Sequence, residues 1–181
     1  STVDGADNTA VGYGALNADA GDDNTAVGSA ALTAFTGSNA TAVGSGAADS
    51  LVGGQQCTAI GKSALATNVS GNYNTAVGAG CLELATGTNN TAVGQGCAYG
   101  VTSGSDNTAM GYAALDASFS GSNATAIGSN AATAATTAAD LTAVGMNALS
   151  NTKAGGYCTA LGHSAGKYSI SNNNTFLGYA A

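Results

Sequence analysis

The chain has no proline, no tryptophan and no arginine, and its only basic side chains are Lys62, Lys153, Lys167 and the single His163. Against three lysines stand ten acidic residues, for a net charge of −7. Nucleic acid is excluded as a partner on this balance, because phosphates need clustered Lys and Arg. An anionic membrane surface is excluded on the same ground. Charge itself is scarce, at 7% of residues, while apolar residues make up 44%. A disordered segment shows the reverse, low hydrophobicity with high charge density. No secretory leader and no long apolar run is present, so the expectation is a mature, soluble product with no membrane insertion. Few tryptic sites suit a surface exposed to proteases.

What the chain has instead is repetition. "NTAVGYGAL" begins at Asn8 and "NTAVGSAAL" at Asn24, and "NTAVGAGCL" and "NTAMGYAAL" follow further on. The threonine of the motif recurs at Thr9, Thr25, Thr41, Thr58, Thr75, Thr91, Thr108, Thr125, Thr142, Thr159 and Thr175, eleven copies spaced by sixteen or seventeen residues. Two residues later an apolar side chain appears every time, from Val11 to Leu177, and a glycine always follows it, from Gly12 to Gly178. Three beyond that glycine sits a small residue, then often a leucine, as at Leu16, Leu32, Leu65, Leu82, Leu115 and Leu149. A second glycine precedes the threonine by four positions in nine copies.

This period is too short for repeats of paired helices. It matches one coil of a β-solenoid, so the expected fold is all-β: a parallel β-roll or β-helix of about eleven coils. Residues 1–181 then form a single repeat domain with no linker. Two or three short strands per coil are expected, joined at glycine corners. In N-T-A-V-G, alternation places Thr and Val on one face and Asn, Ala and Gly on the other. An aliphatic column is expected to avoid water, which puts Val inside and stacks Thr inward as a hydroxyl ladder. The alanine column is then either an outward strip of methyl groups or tight internal packing. The residue after the glycine obeys no rule, from Tyr13 to Tyr179, and is expected in solvent. Asn before Thr suits tight turns and side-chain ladders between coils.

The motif N-T-A-V-G-x-x-A-L resembles the head repeats of trimeric autotransporter adhesins, and it looks like the NTAIG-type repeats of phage and viral tail fibres. Those heads carry N-S-V-A-I-G on a shorter coil and form a left-handed β-roll, usually trimeric. The likeness spans nearly the whole chain, but its residues are structural. It implies a fold and a place outside the cell, on a cell or virion surface, not a ligand.

Chemistry finds few candidates. Cys81 and Cys97 replace the small residue in consecutive coils, about one coil spacing apart, within reach of a disulfide; two buried thiols acting as small hydrophobes are the alternative. Cys57 and Cys158 replace the Asn before Thr six coils apart and cannot pair within one rod. No C-x-x-C occurs, so structural zinc is not expected. His163 lacks the partners of a triad or a metal site. Asp4, Asp7, Asp19, Asp22 and Asp23 gather near the first corners, but their spacing matches no calcium loop. No cofactor and no enzyme activity is expected.

The expected role is that of a structural protein, an extracellular filament or fibre subunit with itself as partner. Joining "NTFLGYAA" to "STVDGADNTAVG" puts Thr175 fifteen residues before the next Thr9, close to the internal period. Head-to-tail stacking of this kind does not close and builds a filament. Val3, Thr9, Phe176, Leu177 and Tyr179 are the expected end contacts, and rods can also associate side by side. The alternatives are an adhesive head or shaft segment of an adhesin or viral fibre, and an ice-binding protein using its threonine ladder.

Overall fold

A computed structural model describes residues 5–117, 119–137, 139–152 and 156–181. Each copy of the motif forms one three-residue strand: β1 (Thr9–Val11), β2 (Thr25–Val27), β3 (Thr41–Val43), β4 (Thr58–Ile60), β5 (Thr75–Val77), β6 (Thr91–Val93), β7 (Thr108–Met110), β8 (Thr125–Ile127), β9 (Thr142–Val144), β10 (Thr159–Leu161) and β11 (Thr175–Leu177). They lie parallel in sequence order within a single sheet. Register is strict, Thr9 on Thr25, Ala10 on Ala26 and Val11 on Val27, through to Leu161 on Leu177. One repeat is therefore one coil of a β-solenoid. At the usual strand spacing of about 4.8 Å the eleven rungs stack over roughly 50 Å.

Among the described residues each coil has one strand, not two or three, with one further isolated parallel bridge between Val101 and Phe119. Backbone hydrogen bonds nevertheless join neighbouring coils all the way round. Thr25 N–H donates to Ala40 O (2.9 Å), Leu32 N–H to Ala47 O (3.0 Å), Thr36 N–H to Val52 O (2.9 Å) and Gly21 N–H to Gly37 O (2.9 Å). Most of this path is not β because it keeps turning into the left-handed region. The residue two before Thr, the glycine after Val, and the second and fourth residues beyond that glycine all have positive φ. Asp and Asn hold the first of these positions in most coils, and both tolerate that conformation. Leucines do not favour it, yet Leu16, Leu32, Leu65, Leu82, Leu115 and Leu149 adopt φ between 49° and 56°. Each is 0–1% exposed, so burial of about 2 kcal/mol per side chain offsets the backbone cost.

The facing of the strand corrects the expectation. Alanine points inward: Ala26 to Ala160 of the column are 0–1% exposed. Thr and Val face out, with Val11 57%, Met110 48% and Leu161 49% exposed. The reason is width. A coil of sixteen or seventeen residues encloses little space, and the leucines together with the small column Ala31, Ala47, Ala64, Cys81, Cys97 and Ala114 already fill it. Only a methyl fits beneath the strand. A third inward position, seven residues after the glycine, takes whatever fills the remaining gap: Phe35, Leu51, Asn68, Ala85 or Val101.

The asparagine before Thr also turns inward and forms the expected ladder. Asn24 N–H donates to Asn8 Oδ1 (2.8 Å) and Ala40 N–H to Asn24 Oδ1 (2.9 Å). The amides of Asn8, Asn74 and Asn90 donate to corner carbonyls of the next coil at Gly21, Gly87 and Gly104 (2.8–2.9 Å). Cys57 and Cys158 stand in the same column and donate their thiols across to Gly71 O and Ser171 O, each at 3.3 Å.

Candidate functional site

The surface that repetition builds is the outer face of the sheet. Thr stands directly over Thr and Val over Val because the register never slips. The rungs repeat at about 4.8 Å, and within a rung the Thr and Val side chains are about 6.7 Å apart. The face is therefore a regular two-column array of hydroxyl-methyl and aliphatic groups. It carries no charge in any of its eleven rungs. The aliphatic column alone reads Val, Val, Val, Ile, Val, Val, Met, Ile, Val, Leu, Leu. A strip roughly 50 Å long and about 7 Å between columns has an area of a few hundred Å2, the size at which an exposed apolar patch marks an interaction surface.

The threonines named as a ladder thus do form one, but it is presented to solvent rather than enclosed. Of the residues named as end contacts, Thr9 is exposed, Leu177 is 73% and Tyr179 80% exposed, and Phe176 packs partly against the core. Val3 lies outside the described residues, as does Asp4.

Cys81 and Cys97 do stack in consecutive coils, as Leu82 N–H donating to Cys97 O at 3.0 Å shows. Both are free thiols with no exposed surface, and Cys81 Sγ donates to Ala92 O at 3.2 Å. The neighbouring Cys97 sulfur and burial together push the Cys81 thiol far above the ordinary range. The pair sits in the small inward column, where a thiol fills the place of an alanine methyl. Cys57 is likewise buried and free, and burial raises its thiol.

His163 stacks on Tyr179, with ring centroids 5.1 Å apart and planes 9° from parallel. It is half-buried rather than solvent-facing, as is Ser129 of the same column. No group of three or more His, Cys, Asp or Glu side chains comes together among the described residues. Asp22 is engaged by the backbone, accepting from Ala6 N–H at 2.8 Å. Asp7 and Asp23 occupy left-handed corners. Among the described residues no helix is long and apolar enough to cross a membrane.

The chain matches no protein-family model, no curated protein and no solved structure. The arrangement itself must therefore supply the functional argument. The eleven rungs each pair a Thr with an uncharged aliphatic side chain. They offer a periodic surface, which suits a partner with the same period.

Proposed function

We propose that the chain is a non-enzymatic structural protein, a rod-like subunit or segment of an extracellular fibre. The observation that carries this reading is the unbroken register from β1 to β11. Each coil offers its neighbour the same N–H and C=O groups, as Thr58 N–H to Asn74 O (2.9 Å) and Gly61 N–H to Val43 O (2.8 Å) repeat along the ladder. A coil of another copy meets the same pattern, so head-to-tail stacking extends the ladder without new contacts. The outward Thr/Val face adds a side-by-side mode, because a second copy is the partner whose period matches it. The likeness of the motif to adhesin heads and tail-fibre repeats supports a place on a cell or virion surface.

Negative-stain microscopy of the purified protein, with its mass measured by light scattering, tests the proposal. Threads or bundled rods are the expected result. A monodisperse short monomer at every concentration overturns it. A closed three-chain rod replaces it with the adhesive head or shaft.

A second reading is favoured by one observation: the threonine ladder lies on the outer, regular, uncharged face of the sheet. Such an array of methyl and hydroxyl groups is the form an ice-binding surface takes. Thermal hysteresis of the purified protein tests this directly, and a freezing-point gap that disappears in Thr75→Lys supports it. Absence of hysteresis removes it.

A further inference from the structure

Round the glycine corner from the Thr/Val face, a shallow trough runs along the rod. One wall is the column immediately after the glycine, the other is the column four residues further on, and the floor between them is the second residue after the glycine. Two separate hollows on the molecule fall in this same trough, one at Tyr13 and Asn17 and one in the middle.

The central stretch, about 500 Å3, differs in its chemistry. Consecutive coils place Glu83, Tyr99 and Asp116 along one wall, and Gln95 and Tyr112 along the other. Its floor is lowered at Gly80 and Gly96, as it is at Gly14 and Gly46, where the coils of Ala30, Asn130 and Asn147 carry a side chain. A Cβ on Gly80 would lie 3.2 Å from a Glu83 carboxylate oxygen and 3.7 Å from the Tyr99 ring, so both side chains lean over the gap. A Cβ on Gly96 would meet nothing within 4 Å. Tyr99 and Tyr112 are 38% and 58% exposed, which leaves ring surface free. Neither carboxylate accepts a hydrogen bond from a side chain among the described residues.

These groups select a class of ligand. Tyrosine presents an apolar face with a polar tip, which suits a molecule whose own faces are C–H and whose rim is O–H. Carboxylates and an amide accept and share hydroxyl hydrogen bonds, the carboxylates more strongly for their charge. Lys62 borders the trough opposite in sign to Glu83 and Asp116, so the lining carries groups of both signs and little net charge. A neutral polyol can hydrogen-bond to all of them without burying a charge of its own. Glu83 and Asp116 are two coils apart, about 10 Å along the axis, which spans more than one sugar ring. The volume lies in the range of small-ligand sites. We propose that this trough binds a neutral oligosaccharide lying along the rod, with Tyr99 and Tyr112 as platforms and Glu83, Asp116 and Gln95 as hydroxyl partners. Burial, which already raises the Asp116 carboxyl above its usual range, marks that wall as partly shielded from water.

The site is independent of whether the rods polymerise. Affinity electrophoresis through gels containing a β-glucan, a galactomannan, an α-glucan or a β-xylan tests it. At least one of these neutral polysaccharides is expected to retard the protein. Tyr112→Ala should weaken that retardation about tenfold, as loss of an aromatic anchor does, and Glu83→Gln should weaken it too. Tyr157→Ala, an exposed tyrosine on another column, should leave it unchanged. Gly96→Asn fills the floor with a residue that the same column holds elsewhere, so it should abolish retardation in a folded protein. No retardation by any of the four, or equal retardation of wild type and Gly96→Asn, overturns the proposal.

Discussion

Asn90 joins three coils, one through its backbone and the next through its side chain. Its backbone N–H donates to Asn74 Oδ1 (2.9 Å), its own Oδ1 accepts from Asn107 N–H (3.1 Å), and its amide donates to Gly104 O (2.9 Å). The residue is 1% exposed, so neither side-chain bond is replaced by water when the amide is removed, while the bond from its backbone N–H remains. Asn90→Ala should lower stability by about 2–3 kcal/mol, because the Asn107 N–H and the Gly104 carbonyl lose their buried partner. The shift in urea midpoint checks this. The repeats next to the change should melt first, since each coil is stabilised mainly by its neighbours.

The glycine after Val is the corner that admits no side chain. At Gly61 φ is +133°, and an added Cβ would sit 2.5 Å from both the carbon and the oxygen of the Gly78 carbonyl in the next coil. Gly61→Ala should therefore cost about 3 kcal/mol or more, through strain and displacement of the neighbouring rung. Gly96→Ala is the matched comparison. Its φ of +60° is shared by Ala30 and Ala113 in the same column, and its Cβ would enter open space. Thermal melts should separate the two variants widely, with Gly96→Ala within about 0.5 kcal/mol of wild type.

The inward alanine gives a third contrast. Ala42 is fully buried beneath β3 while Val43, next to it, faces out. Ala42→Val forces two methyls into a filled space and should destabilise by about 1–3 kcal/mol. Val43→Thr changes only the outer face and should stay within about 0.5 kcal/mol. The opposite ranking in a denaturation experiment would reverse the facing of the whole sheet. Replacing Val43 and Val77 together by Lys should in addition disperse any side-by-side assembly seen by light scattering, because like charges would then face each other in the contact.

Much of this was legible before the structure. The period of sixteen or seventeen residues, the glycine corner and the asparagine ladder follow from spacing and from the chemistry of Gly and Asn. The facing of the strand did not. Alternation says that Thr and Val share a side, but which side is inside depends on the width of the coil, and the hydropathy of Val pointed the wrong way. Width was set by Leu16 and its counterparts, which reach the centre from left-handed backbone that leucine rarely adopts. The same conformations remove the second and third strands expected of each coil. The trough was invisible for a different reason. Glu83, Tyr99 and Asp116 look unrelated along the chain and become neighbours only once the coils are stacked in register.

Cys57 stands in the asparagine column, where Asn74 N–H points at its sulfur instead of at an amide oxygen. Sulfur is a weak acceptor, so Cys57→Asn should restore the ladder and raise stability by about 0.5–1.5 kcal/mol. The substitution also changes the response to alkali. Burial holds the folded thiol above its ordinary value of 9.0, against the smaller lowering effect of the Asn74 and Tyr73 N–H groups. Below pH 9 the thiol is protonated in both states and the wild type keeps its full stability. Above pH 9 the unfolded chain releases a proton that the folded chain retains, so stability falls as pH rises toward the folded value. Urea midpoints measured between pH 7 and pH 10.5 should decline for the wild type and decline less for Cys57→Asn. Thiol titration gives the matching readout: no Cys57 labelling in the native rod at pH 8, and full labelling once the coils are opened by denaturant, since only the exposed thiolate reacts.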